Sequence, residues 1–454
     1  MKKVNFTKAL IEGQWQDDVT LTLDDHGMIT AITSGSPAPA DRVSGYALPG
    51  LANVHSHAFQ RAMAGLAEYR TSNSDSFWSW RDVMYRFAQK LTPEDLATIA
   101  AQLYLEMVTA GYTSVAEFHY LHHQPGGAPY DNPAEMSDAI VAAATDVGLN
   151  LTHLPVLYQA SGFGGAPLSD AQARFGHTTE AYLRLWDSLA GRMKPGQNLG
   201  VAFHSLRAVT PEAIDTVTAH VPQKAPLHIH IAEQMKEVDD CLAWSGQRPV
   251  EWLLDHHPLS SRWCLVHATH LTSTETTALA NTGAVAGLCP TTEANLGDGF
   301  FPLQEYLAQN GAIAIGSDSH ISVSPIEEIR LLDYGQRLKY QRRNLHATPD
   351  HPHSGDWLYG QALRGGALAT EQKTGVLAVG QQADIITLDP ASPLLVGTPD
   401  RHLIDRFIFS GNRSPVKDVM VRGRWQVRDY THPGACEITA RFTKTMEKLV
   451  NLLD

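Results

Sequence analysis

Two histidines one residue apart, His55 and His57, follow a short apolar run, and their partners come only far downstream, in His230, Glu233, His267 and Asp318. In an extended strand, side chains at i and i+2 point to the same side, so both imidazoles face one cation. Two imidazoles leave a divalent ion under-coordinated. The missing ligands must come from the ends of other strands, which demands a fold that converges several strand ends on one point. The chain places His230, His267 and Asp318 at or beyond the ends of three later apolar runs, in Leu-His-Ile-His230-Ile-Ala-Glu233, Cys-Leu-Val-His267 and Ala-Ile-Gly-Ser-Asp318. Imidazole and carboxylate suit zinc or a similar first-row divalent metal. The chain has 22 histidines, so one alone means little and the set carries the inference.

Eight apolar runs, at residues 51–55, 113–118, 150–156, 199–204, 227–231, 263–268, 284–288 and 312–316, alternate with amphipathic stretches such as 93–110 and 134–147. Most are apolar at consecutive positions, as parallel strands buried on both faces require. The pattern predicts an α/β fold with a (β/α)8 TIM-like barrel over residues 49–370. In such barrels chemistry gathers at the C-terminal strand ends, where His55, His57, His230, His267 and Asp318 fall. Residues 1–48 and 371–436 contain strand and turn text, including Val19-Thr-Leu-Thr-Leu and the turn at Asp24-Asp-His-Gly27. They are expected to combine into one small β-sandwich, with residues 437–454 as a closing amphipathic helix. Residues 159–176, rich in Gly and Ala, are a candidate lid.

A net charge of −13 without a Lys/Arg-rich block argues against nucleic acid as partner. It would also repel an anionic substrate at long range, so an anion site needs local arginines. Cys241, Cys264, Cys289 and Cys436 are widely spaced, as reduced thiols of a cytoplasmic protein would be. Cys289 is read as packing. The polar stretch after Met-Lys-Lys lacks a signal-sequence core, and no run approaches the roughly 18 apolar residues of a membrane span. A soluble, cytoplasmic protein is expected, with no membrane partner.

Pro49-Gly-Leu-Ala-Asn-Val-His55-Ser-His57 and Gly375-Val-Leu-Ala-Val-Gly380-Gln-Gln-Ala-Asp384-Ile resemble the first-strand metal motif and the C-terminal signature of the amidohydrolase superfamily. His230-Ile-Ala-Glu233 is similar to the HxxE motif of its deaminase branch. The resemblance covers nearly the whole chain. It implies His55, His57, His230 and Asp318 as metal ligands, with His267 beside a bound water. Dinuclear members bridge two metals with a modified lysine after strand four. Residues 201–207 hold no lysine, which implies one Zn2+, other divalent first-row metals remaining possible. In that reading zinc acidifies water, Asp318 accepts its proton, Glu233 passes a proton to the departing nitrogen, and His267 stabilises the tetrahedral intermediate. His228 is read as a core histidine. His119, His122 and His123 are read as polar residues of a Pro/Gly-rich loop.

Such a site hydrolyses nucleobases, pterins or an open-chain formimino group. Arg81 and Arg207 suggest a dicarboxylate or similar small anion, because guanidinium forks match carboxylates bidentately. His57-Ala-Phe-Gln60-Arg, Phe77-Trp-Ser-Trp-Arg81, Glu117-Phe-His-Tyr120 and His204-Ser-Leu-Arg207 resemble, within the family, the deiminases of formimidoylglutamate, enzymes of bacterial histidine degradation. This likeness implies conversion of N-formimino-L-glutamate to N-formyl-L-glutamate and ammonia, with Gln60, Arg81, Tyr120, His204 and Arg207 holding the glutamyl part. A homodimer is expected. The rival readings are a zinc aminohydrolase of a heterocyclic amine or guanidine, and an inactive barrel acting as a scaffold.

Overall fold

The computed structural model describes residues 1–35, 41–69 and 77–450, so the last four residues of the expected closing helix lie outside the described residues. Strands Leu51–Ser56, Tyr112–His119, Asn150–Leu157, Val201–Phe203, Leu227–Ile231, Trp263–His267, Val285–Leu288 and Ala312–Ile315 pair in parallel, each with the next. Their residues are almost all buried, which explains the unbroken apolar text. The fourth run divides at Gly200 into Gln197–Leu199 and Val201–Phe203. A side chain at Gly200 would strike Leu154 and Pro226 at 2.5 and 2.7 Å, so only glycine fits this approach.

The barrel closes through its metal-motif residues. His55 O accepts from Ser317 N and Asp318 N at 3.2 and 3.0 Å, and His57 N donates to Asp318 O at 3.2 Å. Gly316 permits this seam, since a Cβ there would meet His55 Cβ at 2.8 Å and Cys289 Sγ at 3.0 Å. Cys289 is thus fully buried against the seam and packs with Cys264, Val54 and Val266, as the packing reading expected. The helix Ser354–Thr370 packs behind the last and first barrel strands and supports the seam from outside.

Both flanks join in one β module. Its seven strands run in the order Arg424–Val427, Val416–Val421, Ile385–Leu388, Asp41–Pro49, Lys2–Ile11, Gln14–Leu23 and Ile29–Ser34. Val4, Phe6, Val19, Leu21, Ile385 and Met420 form a core distinct from that of the barrel. Asp384 ties the two together: buried, it accepts from Arg422 N at 2.8 Å and from Asn150 Nδ2, at the start of the third barrel strand, at 3.0 Å. The chain closes with the helix Ala435–Val450. Among the described residues, no helix is long and apolar enough to cross a membrane.

Candidate active site

At the C-terminal mouth of the barrel, His55 Nε2 lies 3.1 Å from His57 Nε2 and 2.9 Å from His230 Nε2. Asp318 Oδ1 lies 3.4 and 3.3 Å from the Nε2 atoms of His55 and His57. The other nitrogens of two rings are committed. His57 Nδ1 donates to Phe118 O at 2.8 Å and His230 Nδ1 to His204 O at 3.0 Å, because a carbonyl can only accept. Their Nε2 lone pairs therefore converge with that of His55 on one point. Burial, followed by the neighbouring histidines, holds His55 and His230 well below the usual imidazole range, so protons do not fill this role. Three converging lone pairs and one carboxylate oxygen fit a tetrahedral first-row cation, and second ring nitrogens tied to carbonyls fix the ligating tautomer.

His267 faces the cluster from the sixth strand. Its Nε2 is 3.7 Å from both Glu233 Oε1 and Asp318 Oδ2, and its Nδ1 donates to Glu293 Oε1 at 3.2 Å. Burial opposes a proton on His267, but Glu233, the bond to Glu293 and Asp318 outweigh it and push the ring up to about 10. Glu233 is pushed up to about 7, chiefly by burial and then by Asp318 and Glu237, against the pull of His267 and Arg207. A carboxyl near 7 exchanges protons in both directions at neutral pH. His267 and Asp318 have φ values of 68° and 44°, left-handed backbone that costs non-glycine residues on the order of 1–3 kcal/mol each. The barrel holds that strain where strand ends turn their side chains inward.

Three supporting residues were assigned no role from the sequence. Glu117 accepts from Ala58 N at 2.7 Å, Ser56 Oγ at 2.5 Å and Tyr104 OH at 3.1 Å, locking the turn after His57. His320 bridges Ser56 Oγ and Ser317 Oγ across the seam. Glu293, in the helix Pro290–Leu296, takes both His267 Nδ1 and Cys289 N on Oε1. Glutamine can keep both bonds but not the charge. Glu293→Gln is expected to lower kcat about 10–100-fold with metal content unchanged, measured by steady-state kinetics and elemental analysis.

One cleft is lined by His57, His230, Glu233, His267 and Asp318 together with Gln60, Arg81, Tyr120, His204 and Arg207. His55 sits fully buried beneath them. The residues read as metal-binding, catalytic or substrate-binding therefore meet at one place. Gln60 Nε2 donates to Tyr120 OH at 2.8 Å. The Arg81 and Arg207 guanidiniums lie 4.4 and 5.7 Å from the Trp78 ring centroid, which brings both cations to one side of the cleft. The cleft is also strongly aromatic. Phe77, Trp80, Tyr85, Tyr158 and Phe175 line it, drawn from segments far apart in the chain.

Three further expectations meet the structure here. His228 is a core residue, fully buried and bonded to Ala369 O at 2.8 Å. The histidines near 120 are not solvated loop polarity. His119 and His122 are buried, and with His123 they pack against His153 and His177, because the loop folds back under Arg174, whose main-chain oxygen accepts from both His122 N and His123 N. Residues 170–175 of the candidate lid form a turn in which Gln172, Arg174 and Phe175 are buried, Gln172 donating to Tyr158 OH at 2.8 Å. Of this turn, Phe175 lines the cleft.

The amidohydrolase family matches residues 46–426. The chain belongs to the amidohydrolase family. It is 49% identical to the formimidoylglutamate deiminase of Pseudomonas aeruginosa over 99% of this chain and 100% of that one. It is 30% identical to the 8-oxoguanine deaminase of the same organism, over 84% of this chain and 82% of the other. Among solved structures, an amidohydrolase from Brucella melitensis superposes with a TM-score of 0.93 at 45% identity, covering 99% of this chain and 100% of that one. The atrazine chlorohydrolase of Arthrobacter aurescens, solved with zinc, shares the fold at 22% identity and a TM-score of 0.83, over 98% and 100% of the two chains. This amidohydrolase is a hydrolase acting on C–N bonds.

Proposed function

We propose that the chain hydrolyses N-formimino-L-glutamate to N-formyl-L-glutamate and ammonia, using one zinc ion held by His55, His57, His230 and Asp318. The observation that carries this reading is the polarity of the cleft. Carboxylates Glu233 and Asp318, beside the converging histidines, share one cleft with the guanidiniums of Arg81 and Arg207, which gather against Trp78. The substrate has the matching pattern, an amidine at one end and two carboxylates at the other. The likeness to the Pseudomonas deiminase supports the same choice.

When bound, zinc supplies Lewis-acid chemistry that lowers the pKa of water from about 15.7 towards about 7. Asp318 Oδ2, on the His267 side of its carboxylate, accepts the proton of the attacking water. The carbon then carries a hydroxyl, the formimino nitrogen and the glutamyl nitrogen. Glu233, poised near 7, and then Asp318 each deliver a proton to the formimino nitrogen, and the hydroxyl returns one to Glu233 as the C–N bond breaks, so that ammonia leaves and the carbon becomes the formyl group. His267 donates towards the oxygen as charge develops on it, and Glu293 holds the ring for that donation. Gln60, Tyr120 and His204 orient the glutamyl chain, while Arg81 and Arg207 bind its carboxylates. Arg207 Nε donates to Ser205 Oγ at 3.4 Å, and the guanidinium lies against the Trp78 ring beside the cleft. Arg207→Ala should therefore raise KM by a factor equivalent to about 1.5–3 kcal/mol, with a smaller change in kcat. Unchanged kinetics would remove Arg207 from the site.

The aromatic lining favours one rival, a heterocyclic amine stacked between rings. Ammonia release from zinc-replete protein, assayed in parallel on N-formimino-L-glutamate, guanine and cytosine, separates the readings. Turnover of the first alone is expected. Turnover of guanine or cytosine without the first sinks the proposal, and no release from any of them favours a scaffold.

A further inference from the structure

A second set of metal-ligating groups lies on the outer layer, apart from the cleft. His353 precedes the helix Ser354–Thr370, His402 ends the short turn Asp400–His402, and Asp405 lies in the helix Leu403–Phe409. One potential ligand atom from each lies within 4.8 Å of the other two. Asp405 Oδ2 is 2.5 Å from His353 Nδ1 and 4.0 Å from His402 Nδ1, and the two rings are 4.9 Å apart, centre to centre.

The carboxylate is preorganised. Its Oδ1 accepts from Gly355 N at 2.8 Å, capping the helix Ser354–Thr370 and directing Oδ2 towards both imidazoles. Gly355 allows this approach, since a Cβ there would stand 2.8 Å from Asp405 Oδ1. The three side chains are half-buried to exposed, so an ion reaches them from solvent at modest desolvation cost. Asp356, in the first turn of the same helix, is close enough for its charge to interact with Asp405, His353 and His351. One cation opposes the ion. Exposed Arg401 donates from Nε to His402 Nε2 at 3.2 Å and must turn outwards when His402 ligates through Nδ1 and carries its proton on Nε2.

We propose that His353, His402 and Asp405 form a peripheral site for a zinc-like divalent ion, completed by water or Asp356. Two imidazoles and a carboxylate select first-row metals such as zinc, cobalt or nickel over magnesium, which prefers oxygen ligands. The ion ties the start of the helix Ser354–Thr370 to the turn and helix at 400–409. Because that helix packs behind the first and last barrel strands, binding stabilises the seam that carries His55 and Asp318.

His402→Ala tests the site cleanly, because it removes one ligand and leaves the His353–Asp405 bond and the Gly355 cap in place. Full-length wild-type and variant protein are equilibrated with zinc under identical conditions, and bound zinc per chain is counted after dialysis. The wild type should hold one equivalent more than His402→Ala, with deimination by the two proteins equal. Zinc should also raise the Tm of the wild type more than that of the variant. Equal zinc content in the two proteins, or an equal Tm shift, overturns the site whatever the catalytic centre holds.

Discussion

Glu233→Gln should lower kcat by about 10^2–10^4-fold while the protein keeps its metal. The substitution preserves size and hydrogen-bonding shape but removes the proton that the leaving nitrogen needs. Without it the tetrahedral intermediate must expel a far poorer leaving group and returns to substrate instead. Metal retention follows from geometry. Glu233 Oε1 faces His267 rather than the converging nitrogens of His55, His57 and His230. Kinetics with elemental analysis on the same sample decides the point. Loss of zinc along with activity would make Glu233 a ligand, and near-normal kcat would remove it from proton transfer.

Asp318→Asn should reduce kcat by about 10^3-fold or more and weaken metal binding as well. Asp318 has two tasks on two oxygens. In the proposed mechanism Oδ1 would complete the ligand set with His55 and His57, from which it lies 3.4 and 3.3 Å, while Oδ2, 3.7 Å from His267, would take the proton of water. Asparagine accepts the left-handed backbone at this position, where φ is 44°, so the variant should fold and the barrel seam should stay closed. The phenotype is then chemical. Competition with a chelator is expected to strip zinc from Asp318→Asn more readily than from wild type or from Glu233→Gln. Equal metal affinity in all three would remove Asp318 from the ligand set.

The contrast between residues legible in the sequence and those that were not has a physical basis. His55 and His57 announce themselves because strand alternation gives the pair a fixed shared side, and His230, His267 and Asp318 are marked by apolar runs that precede them. The barrel follows from the same runs, since parallel strands buried on both faces write continuous apolar text. Glu293, Glu117 and His320 were hidden. They act by accepting or bridging hydrogen bonds across the layers, and no spacing rule links Glu293 to a histidine 26 positions away. The aromatic lining was equally opaque, because Trp80, Tyr158 and Phe175 converge only once the barrel and the 170–175 turn have packed. The histidines at 119–123 were misread for a related reason. Local Pro and Gly suggested an exposed loop, but contacts with His153 and His177 from distant segments bury it.

Two C–N bonds of a formimino group are open to hydrolysis, and the products tell which one breaks. Incubation of zinc-replete protein with N-formimino-L-glutamate, followed by NMR of the products, tests the assignment of Glu233 and the arginines together. N-formyl-L-glutamate and ammonia in equal amounts are expected, since in the proposed mechanism the two arginines hold the glutamyl part while Glu233 protonates the terminal nitrogen. Formamide and glutamate, or an unchanged substrate, would contradict it.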